Sequence, residues 1–177
     1  MPRLRRSGIV LLVLAAALGV SGCSTTQPMV AAPAANDPLC AEVMVRLPEA
    51  LENASGPRQD RVWTDAQATG AWGTPTSVTL RCGVEPPGPS TLRCVTFQNV
   101  DWLVDPQEGT RLVRLVTYGR TPAVEVRVDS SKISPDGVLD TLGPKLMKLP
   151  STARCTAPET KPPAPPARVR RLTYLPH

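Results

Sequence analysis

Apolar side chains recur at Leu39, Val43, Leu47 and Leu51, a four-residue repeat that marks one buried helical face. Asp37-Pro38 ahead of them has the form of an N-cap followed by proline at the first helical position. Pro48 falls inside the row, so a kink or restart is expected there, with Asn53–Gly56 ending the helix. Residues 57–75 read as a polar, turn-rich stretch with Trp63 and Trp72 embedded in it. From Val78 the period changes to two. Val78, Leu80 and Cys82 alternate with Thr79 and Arg81, the pattern of a strand with one buried face.

Glu85–Ser90, with Pro-Pro-Gly-Pro at its centre, can be neither regular element. Cys94–Gln98 and Val100–Val104 predict one or two strands, with Asn99 as a turn or bulge. Leu112–Tyr118 and Ala123–Val128 predict an antiparallel hairpin. In its second arm Val124, Val126 and Val128 should point inward, Glu125 and Arg127 outward. Ser134-Pro135-Asp136 opens a second helix. Val138, Leu142 and Leu146 share one of its faces, with Leu139 and Leu149 beside it. Gly143-Pro144 should weaken or bend that helix, and Leu149-Pro150 should stop it. The fold expected is α+β, an antiparallel sheet of about four to five strands with two helices packed on it.

The N-terminus carries a different pattern. Arg3, Arg5 and Arg6 precede an uncharged, almost wholly apolar run, Gly8–Val20, and Ser21-Gly22-Cys23 closes it. At 13 residues the run is too short for a stable span, which needs about 20. The arrangement is that of a bacterial lipoprotein signal: residues 1–22 are removed and Cys23 carries acyl chains. The expected location is the outer face of the cytoplasmic membrane, lipid-anchored rather than spanning. Residues 23–36, small and containing Ala and Pro, read as a flexible tether. Residues 37–156 make a single domain and residues 157–177 a disordered, Pro-rich basic tail. Arg168, Arg170 and Arg171 of that tail could meet anionic lipid or wall polymer, but a solvated tail with no partner is the expected reading.

The formal charge of +5 belongs to the two ends. Residues 24–156 hold 13 basic and 14 acidic side chains, a formal charge of −1. A near-neutral body with 3% aromatic residues lacks the basic face and stacking rings of a nucleic-acid binder. Besides Cys23 there are four cysteines, Cys40, Cys82, Cys94 and Cys155. An even number in an exported chain implies disulfides, and spacing alone favours Cys82 with Cys94 across the Pro-Pro-Gly-Pro turn. Metal-ligand spacing is absent, and the sole histidine is His177.

Candidate chemistry is sparse. Ser130, Ser131 and Lys132 could form a Ser–Lys pair, but neighbours in sequence seldom face one another, and a polar turn accounts for them. Asp101 beside Trp102 could be partly buried, whereas Glu125 and Arg127 look solvent-facing, so paired carboxylates are not expected. Trp72 and Trp102 could line a ligand groove. No cofactor is implied. The expectation is a non-enzymatic binding or accessory protein, its partner an envelope protein, wall polymer or small ligand. The alternative is an extracytoplasmic hydrolase or transferase working without histidine or metal.

Several short segments together are more specific than any one of them: Trp72-Gly73-Thr74-Pro75, Arg81-Cys82-Gly83, Val100-Asp101-Trp102 and Pro122-Ala123-Val124-Glu125-Val126. With the cysteine at the first helix, they make residues 37–150 resemble domain-of-unknown-function family thirty-five fifteen, uncharacterised lipoproteins of high-GC Gram-positive bacteria. The resemblance implies no activity. It does imply that Cys40 pairs with Cys82, which leaves Cys94 for Cys155. Closures of that length would stabilise by roughly 4 kcal/mol each.

Overall fold

The computed structural model describes residues 26–156, apart from 53 and 55. Its elements follow in the order α1 (Pro38–Met44), β1 (Ala50–Leu51), β2 (Gln59–Val62), β3 (Thr69–Trp72), β4 (Val78–Val84), β5 (Arg93–Phe97), β6 (Val100–Pro106), β7 (Leu112–Thr117), β8 (Ala123–Asp129) and α2 (Pro135–Leu146). The strands form one antiparallel sheet in the spatial order β1-β2-β3-β4-β8-β7-β6-β5. Two meanders, β1–β4 and β5–β8, therefore meet where β4 pairs with β8. The α+β class holds, but the sheet has eight strands, not four to five.

The three additional strands explain the shortfall. All four residues of β3, Thr69-Gly70-Ala71-Trp72, are buried, so no alternation marks it. β2 is Gln59-Asp60-Arg61-Val62, too polar to read as a strand in isolation. α1 is likewise shorter than expected. Asp37 accepts a hydrogen bond from Leu39 N at 2.8 Å and Pro38 follows, but the helix ends at Met44. Leu47 and Leu51 are buried as expected, yet they reach the core from a turn and from β1.

One face of the sheet carries the main apolar core. Val78, Leu80 and Cys82 of β4, Trp102 of β6, Leu115 of β7 and Val124, Val126 and Val128 of β8 meet α1 and α2 there. The Cys40–Cys82 disulfide ties α1 to β4. α2 runs through Gly143 and Pro144 unbroken. An interior proline costs about 3 kcal/mol and a glycine about 1. Val138, Leu139, Leu142 and Leu146 are all buried, and at roughly 1.5–3 kcal/mol apiece they outweigh both. Gly143 also has a positive reason to be there: a Cβ would sit 2.8 Å from the Gln98 Cβ in the β5–β6 turn. That turn is two residues long, with Gln98 and Asn99 at φ of 49° and 59°, the left-handed pair that a tight hairpin requires.

The opposite face is crossed by two segments. Residues 85–92 carry the chain from β4 to the far edge at β5. Residues 26–36 form the other crossing, where part of a flexible tether was expected. Gln27 N donates to Trp63 O at 2.7 Å, Met29 N to Asp65 Oδ1 at 2.7 Å and Ala34 N to Gly83 O at 2.9 Å. Ala32 is buried with Val84, Val116 and Ala123 in a second, smaller cluster. Alanines, small enough for close backbone approach, dock a segment that composition alone marks as loose. Residues 1–22, Cys23 and the tail from 157 lie outside the described residues.

Candidate functional site

Register places three arginines around one carboxylate on the face away from the helices. Arg81 on β4 lies directly across from Glu125 on β8, and Arg114 on β7 directly across from Arg127. Like charges in directly opposed positions repel. Glu125 offsets this by standing between them. Its oxygens lie 2.6 Å from Arg114 Nε, 3.1 Å from Arg127 Nε and 3.4 Å from Arg81 Nε. The Glu125 side chain is 4% exposed, whereas that of Arg127 is 55% exposed. Glu125 does lie on the outer face of its strand, but it is buried there, not solvent-facing. The reason is position: β8 is a central strand, and flanking arginines close over a short carboxylate.

Burial pushes the Glu125 carboxyl up, but the Arg114 hydrogen bond and the charges of Arg127, Arg114 and Arg81 push it further down, leaving it below the usual glutamate range. Those three guanidinium contacts engage both carboxylate oxygens, which makes Glu125 a weaker proton acceptor than a free glutamate. Arg114 turns its other end toward Asp105, with Nη1 3.7 Å from Oδ2. Three cations against two carboxylates leave one positive charge in excess. Beside them the Pro-rich crossing forms a hollow of about 260 Å³, lined by Pro87, Pro89, Leu92, Leu103, Asp105 and Arg114. What this arrangement offers is polar recognition next to apolar contact.

The other candidate residues resolve individually. Trp72 and Trp102 are fully buried in the core, so neither lines a groove. The Trp72 indole donates to Pro48 O at 3.0 Å, which explains why a ring in a polar stretch turns inward. Asp101 is buried, and it accepts from Thr96 Oγ1 at 2.6 Å and from Cys155 N at 3.0 Å. It thereby holds the C-terminal segment and shares no partner with Glu125. Ser130 Oγ donates to Arg111 O at 2.8 Å and Ser131 Oγ to Asp129 Oδ1 at 2.6 Å. Those hydroxyls shape a turn beside Lys132. Cys94 is bonded to Cys155, as Cys40 is to Cys82. This is the pairing the resemblance implied, not the short loop that spacing favoured. Among the described residues, no cluster of His, Cys, Asp and Glu has the make-up of a metal site.

Arg81 and Arg114 were not singled out in the sequence. The signal available was a charged residue at an outward position on each of three strands, which becomes a cluster only once β4, β8 and β7 are known to be neighbours. The third tryptophan, Trp63, is 79% exposed. No curated protein and no solved structure matches the chain. A family model described as "Protein of unknown function (DUF3515)" covers residues 8–153, and with that span matched the chain belongs to the DUF3515 family.

Proposed function

We propose that this is an exported envelope protein, held by lipid on Cys23 at the outer face of the cytoplasmic membrane, whose domain acts as a non-enzymatic binding or accessory module. One observation carries the reading. Cys40 with Cys82 and Cys94 with Cys155 use up every cysteine beyond Cys23. Two such bonds suit an oxidising, extracytoplasmic compartment. They leave Cys23 as the one thiol outside them, at the end of an apolar run behind Arg3, Arg5 and Arg6. Buried methylenes contribute about 0.8 kcal/mol each, so two or more acyl chains hold a domain firmly. No helix among the described residues is long and apolar enough to cross a membrane.

The binding half of the reading is supported by the outer sheet face. Its carboxylate is held by three guanidinium groups, and its hollow pairs Arg114 and Asp105 with proline and leucine. A polar ligand, a wall polymer or a loop of an envelope protein fits that chemistry. Radiolabelled palmitate and membrane fractionation test the anchor. Cys23→Ala should abolish labelling and release the mature protein from membranes; unchanged labelling and retention would sink the proposal. Crosslinking in the native envelope, read by mass spectrometry, tests the binding role, which fails if Arg114→Ala leaves the crosslinked products unaltered.

A further inference from the structure

Trp63 is the one tryptophan that the fold leaves outside, 79% exposed while Trp72 and Trp102 are fully buried. A single exposed apolar side chain is ordinary on a protein surface. Its neighbour is what sets this one apart. Gln27 N donates to Trp63 O at 2.7 Å, and Gln27 bridges to Thr64 in parallel register. The first of the described residues are thus fastened to the segment that carries the indole.

Only three residues lie between Cys23 and Gln27, a span of four residue steps. A fully extended chain of that length reaches about 14 Å. If the thiol at 23 is acylated, as proposed above, the Trp63 segment cannot stand far from the lipid headgroups, a layer roughly 5–8 Å deep in each leaflet. Tryptophan favours that layer, with its apolar body and one N–H donor. The hollow beside it, about 230 Å³, is lined by Arg61, Glu49, Val62 and Thr64. One cation and one anion there give no net electrostatic pull.

We infer that the Trp63 face of the domain lies against the outer leaflet, with the indole seated in the headgroup region. The acyl group fixes the distance, and Trp63 fixes which side of the domain faces lipid. The hollow on the outer sheet face is then oriented by the membrane instead of tumbling on a tether. The inference rests on the anchor at Cys23 and adds an orientation to it.

The test uses the full-length, lipidated protein in phosphatidylcholine–phosphatidylglycerol vesicles, with and without brominated acyl chains. Tryptophan emission should shift to the blue on membrane binding, and the bromines should quench part of it. Trp63→Phe should remove the quenched part entirely, because Trp72 and Trp102 are sealed in the core. Raising the phosphatidylglycerol fraction should leave the quenching unchanged. A protein that floats with vesicles and carries label, yet keeps a water-exposed, unquenched Trp63, overturns the orientation and leaves the anchor standing. That result would free the indole for an envelope protein or a second copy. A protein that neither floats nor takes label overturns the anchor and this inference together.

Discussion

Arg114 and Glu125 sit diagonally across the β7–β8 pair, guanidinium Nε 2.6 Å from a carboxylate oxygen, on the face of the sheet that the helices do not cover. The pair is the fixed point of the outer face, since Glu125 is buried and the same carboxylate also faces Arg81 and Arg127.

Replacing Glu125 by Gln keeps the shape and removes the charge, which leaves three cations facing one another. The expected loss is about 2 kcal/mol, the scale of a hydrogen bond to a charged group, read as a lower urea midpoint. Arg127→Ala should lose much less, about 0–1 kcal/mol, because its side chain is 55% exposed and screened. Equal losses in the two variants would contradict this picture.

The same carboxylate gives a pH dependence with a definite sign. Its folded value is lowered, so the unfolded chain binds the proton more readily. The stabilisation is complete above the unfolded value, about pH 4.3, and is lost as pH falls through the lower folded value. Glu125→Gln should flatten the acid limb of a stability–pH curve below about pH 4.3 and leave its slope near neutrality unaltered. A variant with the same acid limb as the parent would show that other carboxylates set it.

How much of this was visible in the sequence depends on whether local pattern or neighbour identity decides each feature. Val138, Leu142 and Leu146, and the inward valines of β8, were legible because burial on one face imposes the period of the element. β3 was not, since a strand buried on both sides has no period to read. Leu47 and Leu51 show the reverse error: helical spacing persists beyond Met44, where the chain has already left the helix. The burial of Glu125 and the cluster around it depend on β4 and β7 flanking β8, a fact of topology. The docking of residues 26–36 depends on Gly83, forty-seven or more residues away along the chain.

Gly83 is therefore a sensitive point. It stands at φ of +93°, at the irregularity between Cys82 and Val84 in the β4–β8 ladder, and a Cβ there would strike the Ala34 carbonyl. Gly83→Ala should both strain the backbone, by about 1–3 kcal/mol, and lift the crossing segment 26–36 off the sheet. Hydrogen exchange at Ala34, whose amide is bonded to Gly83 O, should rise well before that of β8. Unchanged protection at Ala34 would mean that the 26–36 crossing is held elsewhere.

The two disulfides close spans of 42 and 61 residues, so loop entropy assigns them about the same stabilisation, roughly 4 kcal/mol. Their surroundings differ. Cys40 and Cys82 are fully buried, while Cys94, on the edge strand β5, and Cys155 are half-buried. Cys94→Ala with Cys155→Ala should release residues 150–156 to fast exchange and lower stability by less than the full entropic figure. Cys40→Ala with Cys82→Ala should lower it by at least that figure, because a packed core loses two sulfurs as well. The reverse order would refute the assignment of Cys40–Cys82 to the core.

Arg120 closes the other end of the sheet. It is buried, and its guanidinium donates to Asn99 O at 2.8 Å, to Met147 O at 3.3 Å and to Leu149 O. One planar group thus ties the end of α2 to the β5–β6 turn. Burial lowers its proton affinity and the charge of Arg154 lowers it further, with Asp101 acting in the opposite sense. Arg120→Met fills the space but strips the carbonyls of their donor, at about 1–3 kcal/mol for each one left without water. Arg120→Lys keeps the charge, yet a single ammonium lacks the fork that reaches both sides at once. Urea unfolding should rank the parent above Lys and Lys above Met, with a total loss of about 3 kcal/mol for Met. A Met variant within about 0.5 kcal/mol of the parent would show that solvent reaches those carbonyls, and that α2 is held to the sheet by Val138, Leu139, Leu142 and Leu146 alone.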